Sequence, residues 1–84
     1  MQKSLRYNII FRQEPEGGFT VMVPSLPGCV TYGETIDEAK KMASDAIGAY
    51  IASLEKHHEA IPTDEESFLF SAIEIKQQHS LTHA

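Results

Sequence analysis

The sequence predicts an α+β domain of order βββαβ, with a three-stranded antiparallel meander, one long helix on one sheet face, and a fourth strand parallel to the first. Three observations predict it. Residues 5–32 hold three β-prone stretches separated by Gly- and Pro-containing turns, residues 35–58 carry a helix cap followed by apolar residues at helical spacing, and Phe68 to Ile75 is β-prone again.

Leu5, Tyr7, Ile9 and Phe11 alternate with Arg6, Asn8, Ile10 and Arg12, the period of a half-buried strand. Gln13 to Gly18 contains Pro15 and the Gly17-Gly18 pair, and alternation then resumes with Phe19, Val21 and Val23 against Thr20 and Met22. Two such stretches joined by a glycine-rich loop form a hairpin. Pro24-Ser25-Leu26-Pro27-Gly28 cannot extend a ladder, because proline lacks an N–H, and Pro27-Gly28 suits a type II turn. Cys29 to Tyr32 is a short third strand with Val30 and Tyr32 on one side, and Gly33 allows a positive φ before the next element.

Thr35-Ile36-Asp37-Glu38 is a capping box, in which Thr35 accepts from the Glu38 amide and the Glu38 carboxylate returns to the cap amide. Ala39, Ala43, Ala46, Ile47, Tyr50, Ile51 and Leu54 follow at helical spacing, so the helix is expected to run to about His58. Gly48 lies in its middle, where glycine costs about 1 kcal/mol relative to alanine, and close packing against the sheet is the expected compensation. Pro62 and Asp64-Glu65-Glu66 make a loop before the fourth strand, whose alternation shifts near Ala72-Ile73. The domain is expected to span 3–76, and the polar tail 77–84 to fray or join an interface.

One helix covers one face of such a sheet, and Leu5, Tyr7, Ile9, Phe11, Phe19, Val21 and Val23 are its expected lining. Ile10 and Met22, bordered by Arg6, Asn8, Arg12 and Thr20, then lie on the open face as an oligomer or partner surface. The structural alternative is an ordinary solvated face with two incidental apolar residues.

Composition narrows the function classes. Seven Lys and Arg against twelve Asp and Glu give a net charge of −5, which repels phosphate backbones and favours a basic partner. A chain of 84 residues buries only about 60–65% of its unfolded surface, so a homo-dimer or larger assembly is expected. Cys29 has no partner for an internal disulfide, and no signal peptide or membrane span is evident, so a cytoplasmic location is expected.

No catalytic, metal-binding or cofactor-binding set is legible, and neither an enzymatic activity nor a cofactor is expected. Cys29 precedes His57, His58, His79 and His83, all of which follow the sheet core. His57 and His58 diverge on a helix, and Gly17-Gly18 lacks the helix and lysine of a phosphate loop. A metal-dependent nuclease would have to draw Asp37, Glu38 and Asp45 from the helix, because the first strand offers no acid.

The segment from Gly17 to Ala39, with Gly17-Gly18-Phe19, Val23-Pro24-Ser25-Leu26-Pro27-Gly28-Cys29 and Gly33-Glu34-Thr35-Ile36-Asp37-Glu38-Ala39, resembles the HicB antitoxin family, and the likeness extends from about Tyr7 to Pro62. The resemblance implies a partial RNase H-like fold and a protein that binds and neutralises HicA, a small basic toxin that cleaves messenger RNA. An acidic antitoxin can occupy the positive RNA-holding surface of such a toxin. Glu34, Asp37, Glu38 and Asp45 are the candidate toxin-binding residues, although Asp37 and Glu38 also suit a helix start and Lys41 lies within reach of Asp37 and Asp45. Gly18, Pro24, Pro27, Gly28, Gly33 and Thr35 read as structural parts of the motif. Many relatives carry a C-terminal DNA-binding domain; this sequence stops short of one, and no direct DNA binding is expected. A self-assembling domain without a toxin partner is the remaining alternative.

Overall fold

The computed structural model describes residues 4–65 and 67–77. Strands β1 (Ile10–Gln13), β2 (Phe19–Met22) and β3 (Val30–Gly33) form one antiparallel sheet in the order β1-β2-β3. Helix α1 (Ile36–Lys56) packs on one face of it.

The first ladder is shorter than the alternation predicts, beginning at Ile10 opposite Met22. Continuing that register would set Asn8 opposite Pro24, which has no N–H to donate. Residues 5–9 therefore lie outside the ladder, and the Asn8 N–H turns instead to Asp64 Oδ2 at 2.8 Å.

Val21, Ala39 and Ala43 are buried together, with Ile9, Phe11 and Phe19 packed against them. Phe11 and Phe19 are diagonal neighbours across the ladder and meet edge to face, with centroids 6.4 Å apart. A second cluster joins Val23, Leu26 and Cys29 to Tyr7, Ile47 and Tyr50. Leu26 is fully buried at the centre of the proline-rich loop. That loop closes by Cys29 N–H donating to Leu26 O at 2.9 Å, with Gly28 at φ +82°, the type II geometry expected of Pro27-Gly28. Tyr50 of the helix secures it by donating to Pro27 O at 2.9 Å.

Thr35 caps α1 as expected, accepting from the Glu38 N–H at 3.1 Å. The return bond differs by one residue, since Glu38 Oε1 accepts from the Glu34 N–H at 2.5 Å and not from the cap amide. At the other end the helix stops at Lys56 instead of about His58. His58 takes φ +57°, and the Glu59 N–H bonds back to Leu54 O at 2.9 Å, closing the last turn in the left-handed manner usually given to glycine.

Two glycine expectations are corrected. Gly33 does not adopt a positive φ; it is buried where an added Cβ would fall on the backbone of Ala39, so it is needed for close approach of helix and sheet. Gly48 is exposed, with nothing within 4 Å of an added Cβ, so no packing compensates for it.

The expected fourth strand, parallel to the first, is not formed among the described residues. The chain does return to the first extended stretch, where Tyr7 OH donates to Pro62 O at 2.5 Å and Asn8 Nδ2 to Asp64 Oδ1 at 3.1 Å. Beyond this clamp residues 67–77 carry no ladder, and Leu69, Phe70, Ile73 and Ile75 stand exposed. Of the expected tail 77–84, all but Gln77 lies outside the described residues.

Candidate partner-binding surface

Residues directly opposite in an antiparallel ladder project to the same face. Ile10, Met22 and Val30 are successive partners, so they form an apolar row across all three strands. Arg12, Thr20 and Tyr32 form the next row. Both rows alternate with Val21, which is buried against α1, and therefore occupy the face that the helix leaves open. Met22 is half-buried, whereas Val30 is 57% exposed at the edge strand.

The second row is joined to carboxylates. Glu14 Oε2 accepts from Thr20 Oγ1 at 2.5 Å and from Arg12 Nε at 2.9 Å. The Thr20 hydroxyl first, then the Arg12 guanidinium, hold the Glu14 carboxyl below its ordinary range. Tyr32 OH donates to Gly17 O at 3.0 Å and reaches Glu34 Oε2 at 3.4 Å. Loss of hydration raises the pKa of this phenol, and the charges of Glu34, Glu14 and Glu38 raise it further. Three acids thus bear on one end of the open face. Gly18, at φ +81°, makes room for Tyr32, because an added Cβ there would fall on its ring.

The candidate toxin-binding acids separate into two groups. Glu34 and Glu38 gather beside Tyr32, and Glu38 also closes the helix cap. Asp37 is exposed in the first helical turn, and Asp45 lies two turns further on, 3.9 Å from Lys41. Of the residues assigned to the open face, Ile10, Met22, Arg12 and Thr20 lie within the two rows. Asn8 is half-buried and engaged with Asp64, and Arg6 is exposed close enough to favour the charged form of Asp64. Val30, Tyr32 and Glu14 were not assigned to the surface by sequence. Val30 and Tyr32 share a side of a recognised strand, but only the register shows that this side continues the row of Met22 and Thr20.

Cys29 is buried and its thiol pKa is pushed up by loss of hydration, the opposite of a nucleophile's environment. Among the described residues no three His, Cys, Asp or Glu side chains converge as metal ligands, and no helix is long and apolar enough to cross a membrane.

A family model described as the HicB-like antitoxin of bacterial toxin–antitoxin systems matches residues 7–79. A UPF0150 protein of Thermoplasma acidophilum is 47% identical over 60 residues, covering 71% of this chain and 87% of the relative. Antitoxin HicB 1 of Photorhabdus laumondii is 35% identical over 60 residues, 71% of this chain but 39% of that protein. Antitoxin HicB of Escherichia coli K12 is 40% identical over 43 residues, 51% of this chain and 31% of that protein. The match therefore covers the sheet, the proline-rich loop and the helix, and the chain belongs to the HicB-like antitoxin family of bacterial toxin–antitoxin systems.

Proposed function

We propose that this protein is a cytoplasmic antitoxin that binds a small basic HicA-type toxin and masks its RNA-cleaving surface. The observation that carries the reading is the open sheet face, in which the Ile10–Met22–Val30 row adjoins Tyr32 and the acids Glu14, Glu34 and Glu38. An apolar centre with an acidic margin suits a basic protein, since the apolar row supplies affinity and the charges steer encounter. Family membership and the net charge of −5 support the same reading. Asp37 and Asp45 extend the acidic character along the helix, away from this centre.

The role is one of occupation, without catalysis by this chain. The −5 charge also argues against DNA contact by this domain itself. A partial RNase H-like ancestry belongs to the same proposal and is supported by the βββα order.

Co-expression with a HicA-type toxin tests the proposal. Growth arrest by the toxin should be relieved by the protein and restored by Met22→Asp, which puts a charge at the centre of the row. Arrest that persists with the unaltered protein would refute the antitoxin role.

A further inference from the structure

β3 is an edge of the sheet, and its backbone shows which groups the edge leaves open. The Val23 N–H donates to Cys29 O at 3.1 Å, so Val23–Cys29 is a hydrogen-bonded pair of the antiparallel ladder, and by alternation so are Val21–Thr31 and Phe19–Gly33. The N–H and C=O groups of Val30 and Tyr32 therefore point away from β2, and nothing among the described residues bonds to them. Both sides of this edge are apolar. On the open face stand Val30 and the Tyr32 ring, both exposed. On the other side α1 lies mainly over β3. Ala39 and Ala43 face the sheet and Lys40 and Ser44 turn toward residues 5–9, so Met42 lies on the opposite flank of the helix, beside the β3 edge, where it too is exposed.

The chain carries a segment that matches such an edge. Along an extended chain Phe68 and Phe70 project to one side and Leu69, Ile73 and Ile75 to the other. The two Phe rings stack with centroids 6.5 Å apart. A run apolar on both sides is the pattern of a strand covered on both faces, yet Leu69 is 93%, Phe70 70%, Ile73 83% and Ile75 80% exposed. The Leu69–Ile73–Ile75 side carries no charge and suits the space under Met42, whereas the Phe68–Phe70 side continues to Glu74 and Lys76 and suits the solvated face beside Val30. The arm leaves its own domain far from this edge. Residues 62–64 are tied to Tyr7 and Asn8, in the stretch that leads into β1, and the loop 24–28 stands on the way to β3, with Ser25 also bonded to Asp64.

We propose that the arm Phe68–Ile75 of one copy adds as a strand to the outer edge of β3 in a second copy of this chain, with Phe70 beside Val30 and the Leu69–Ile73–Ile75 side beneath Met42. Exchange is reciprocal about a two-fold axis, so both arms are used and the assembly closes as a dimer. Charge selects the parallel direction, which sets Lys76 at the end of β3 where Glu34 and Glu38 gather. The antiparallel direction would bring Asp64-Glu65-Glu66 against those acids. Two arms together hide on the order of 1,000 Å² of apolar surface, about what a specific interface needs. The exchange widens the sheet beyond β3 without covering the Ile10–Met22–Val30 row, and so stands independently of the toxin proposal.

Light scattering on the full chain should give a dimer. Phe70→Asp, at a position exposed in the single chain, should raise the concentration for half-dissociation by about two orders of magnitude or more while leaving the circular dichroism of the folded domain unchanged. Val30→Pro should also dissociate the dimer, because proline at the first position of an edge strand removes only an outward N–H. To locate the contact, Val30→Cys and Phe70→Cys proteins, each in a Cys29→Ala background, are mixed and oxidised; a disulfide-linked dimer of the two variants is expected. A monomeric chain, a dimer indifferent to Phe70→Asp, a Val30→Cys protein that links to itself as readily as to the Phe70→Cys protein, or a Val30→Cys/Phe70→Cys double variant that oxidises within single chains at high dilution would each overturn the exchange.

Discussion

Gly33 lies against the first turn of α1 so closely that an added Cβ would fall on the backbone of Ala39. Both residues are buried, and the contact sets how near the helix comes to β3 and to Val21 beneath it. Gly33→Ala should destabilise the domain by about 1–3 kcal/mol, the usual effect of overpacking a rigid contact. Urea unfolding followed by circular dichroism measures it, and an unchanged midpoint would show that the helix can shift at no loss.

Gly17 and Gly18 offer an internal comparison. Both have positive φ, but an added Cβ meets nothing at Gly17 and the Tyr32 ring at Gly18. Gly17→Ala should therefore cost only the backbone strain, about 1 kcal/mol. Gly18→Ala should cost more and should also displace Tyr32 from Gly17 O, visible as a change in the tyrosine ring resonances. Equal effects from the two substitutions would mean that Tyr32 is not held as described.

Gly48 gives the opposite sign. It is exposed in mid-helix with open space around it, so Gly48→Ala should stabilise the protein by about 0.5–1 kcal/mol through helix propensity. Thermal unfolding of the two proteins checks this.

The clamp between Asn8 and Asp64 makes stability depend on acid. The Asp64 carboxyl is held below its ordinary 3.8, chiefly by the Asn8 N–H, with help from the Asn8 and Ser25 side chains and the charge of Arg6. A pKa depressed in the folded state contributes stability above the unfolded value, and that contribution is lost as pH falls through the folded one. Glu14, lowered from 4.5 by Thr20 and Arg12, acts in the same direction. The unfolding midpoint should be flat near neutrality and fall below about pH 4, less steeply in Asp64→Asn. An identical acid slope in that variant would remove Asp64 from the account.

What could be read from the sequence was what depends on neighbours along the chain. The Thr35 cap, the Pro27-Gly28 turn and the period-two stretches are local, and they appear where expected. The features that eluded reading depend on register or on approach between distant segments. Val30 and Tyr32 join the open face only because Val30 falls opposite Met22, and Gly33 is constrained by Ala39 and not by its own φ. The first strand is shorter than its alternation because Pro24 interrupts its partner, and the apolar run after Asp64 has the composition of a strand but no ladder among the described residues.

The most direct measurement of the central claim is calorimetric titration of a catalytically inactive HicA-type toxin into the full chain and into Met22→Asp. The open face as a toxin-masking surface predicts saturable binding that Met22→Asp weakens by at least about tenfold. No binding by the unaltered chain, or equal affinity for the two proteins, would contradict it.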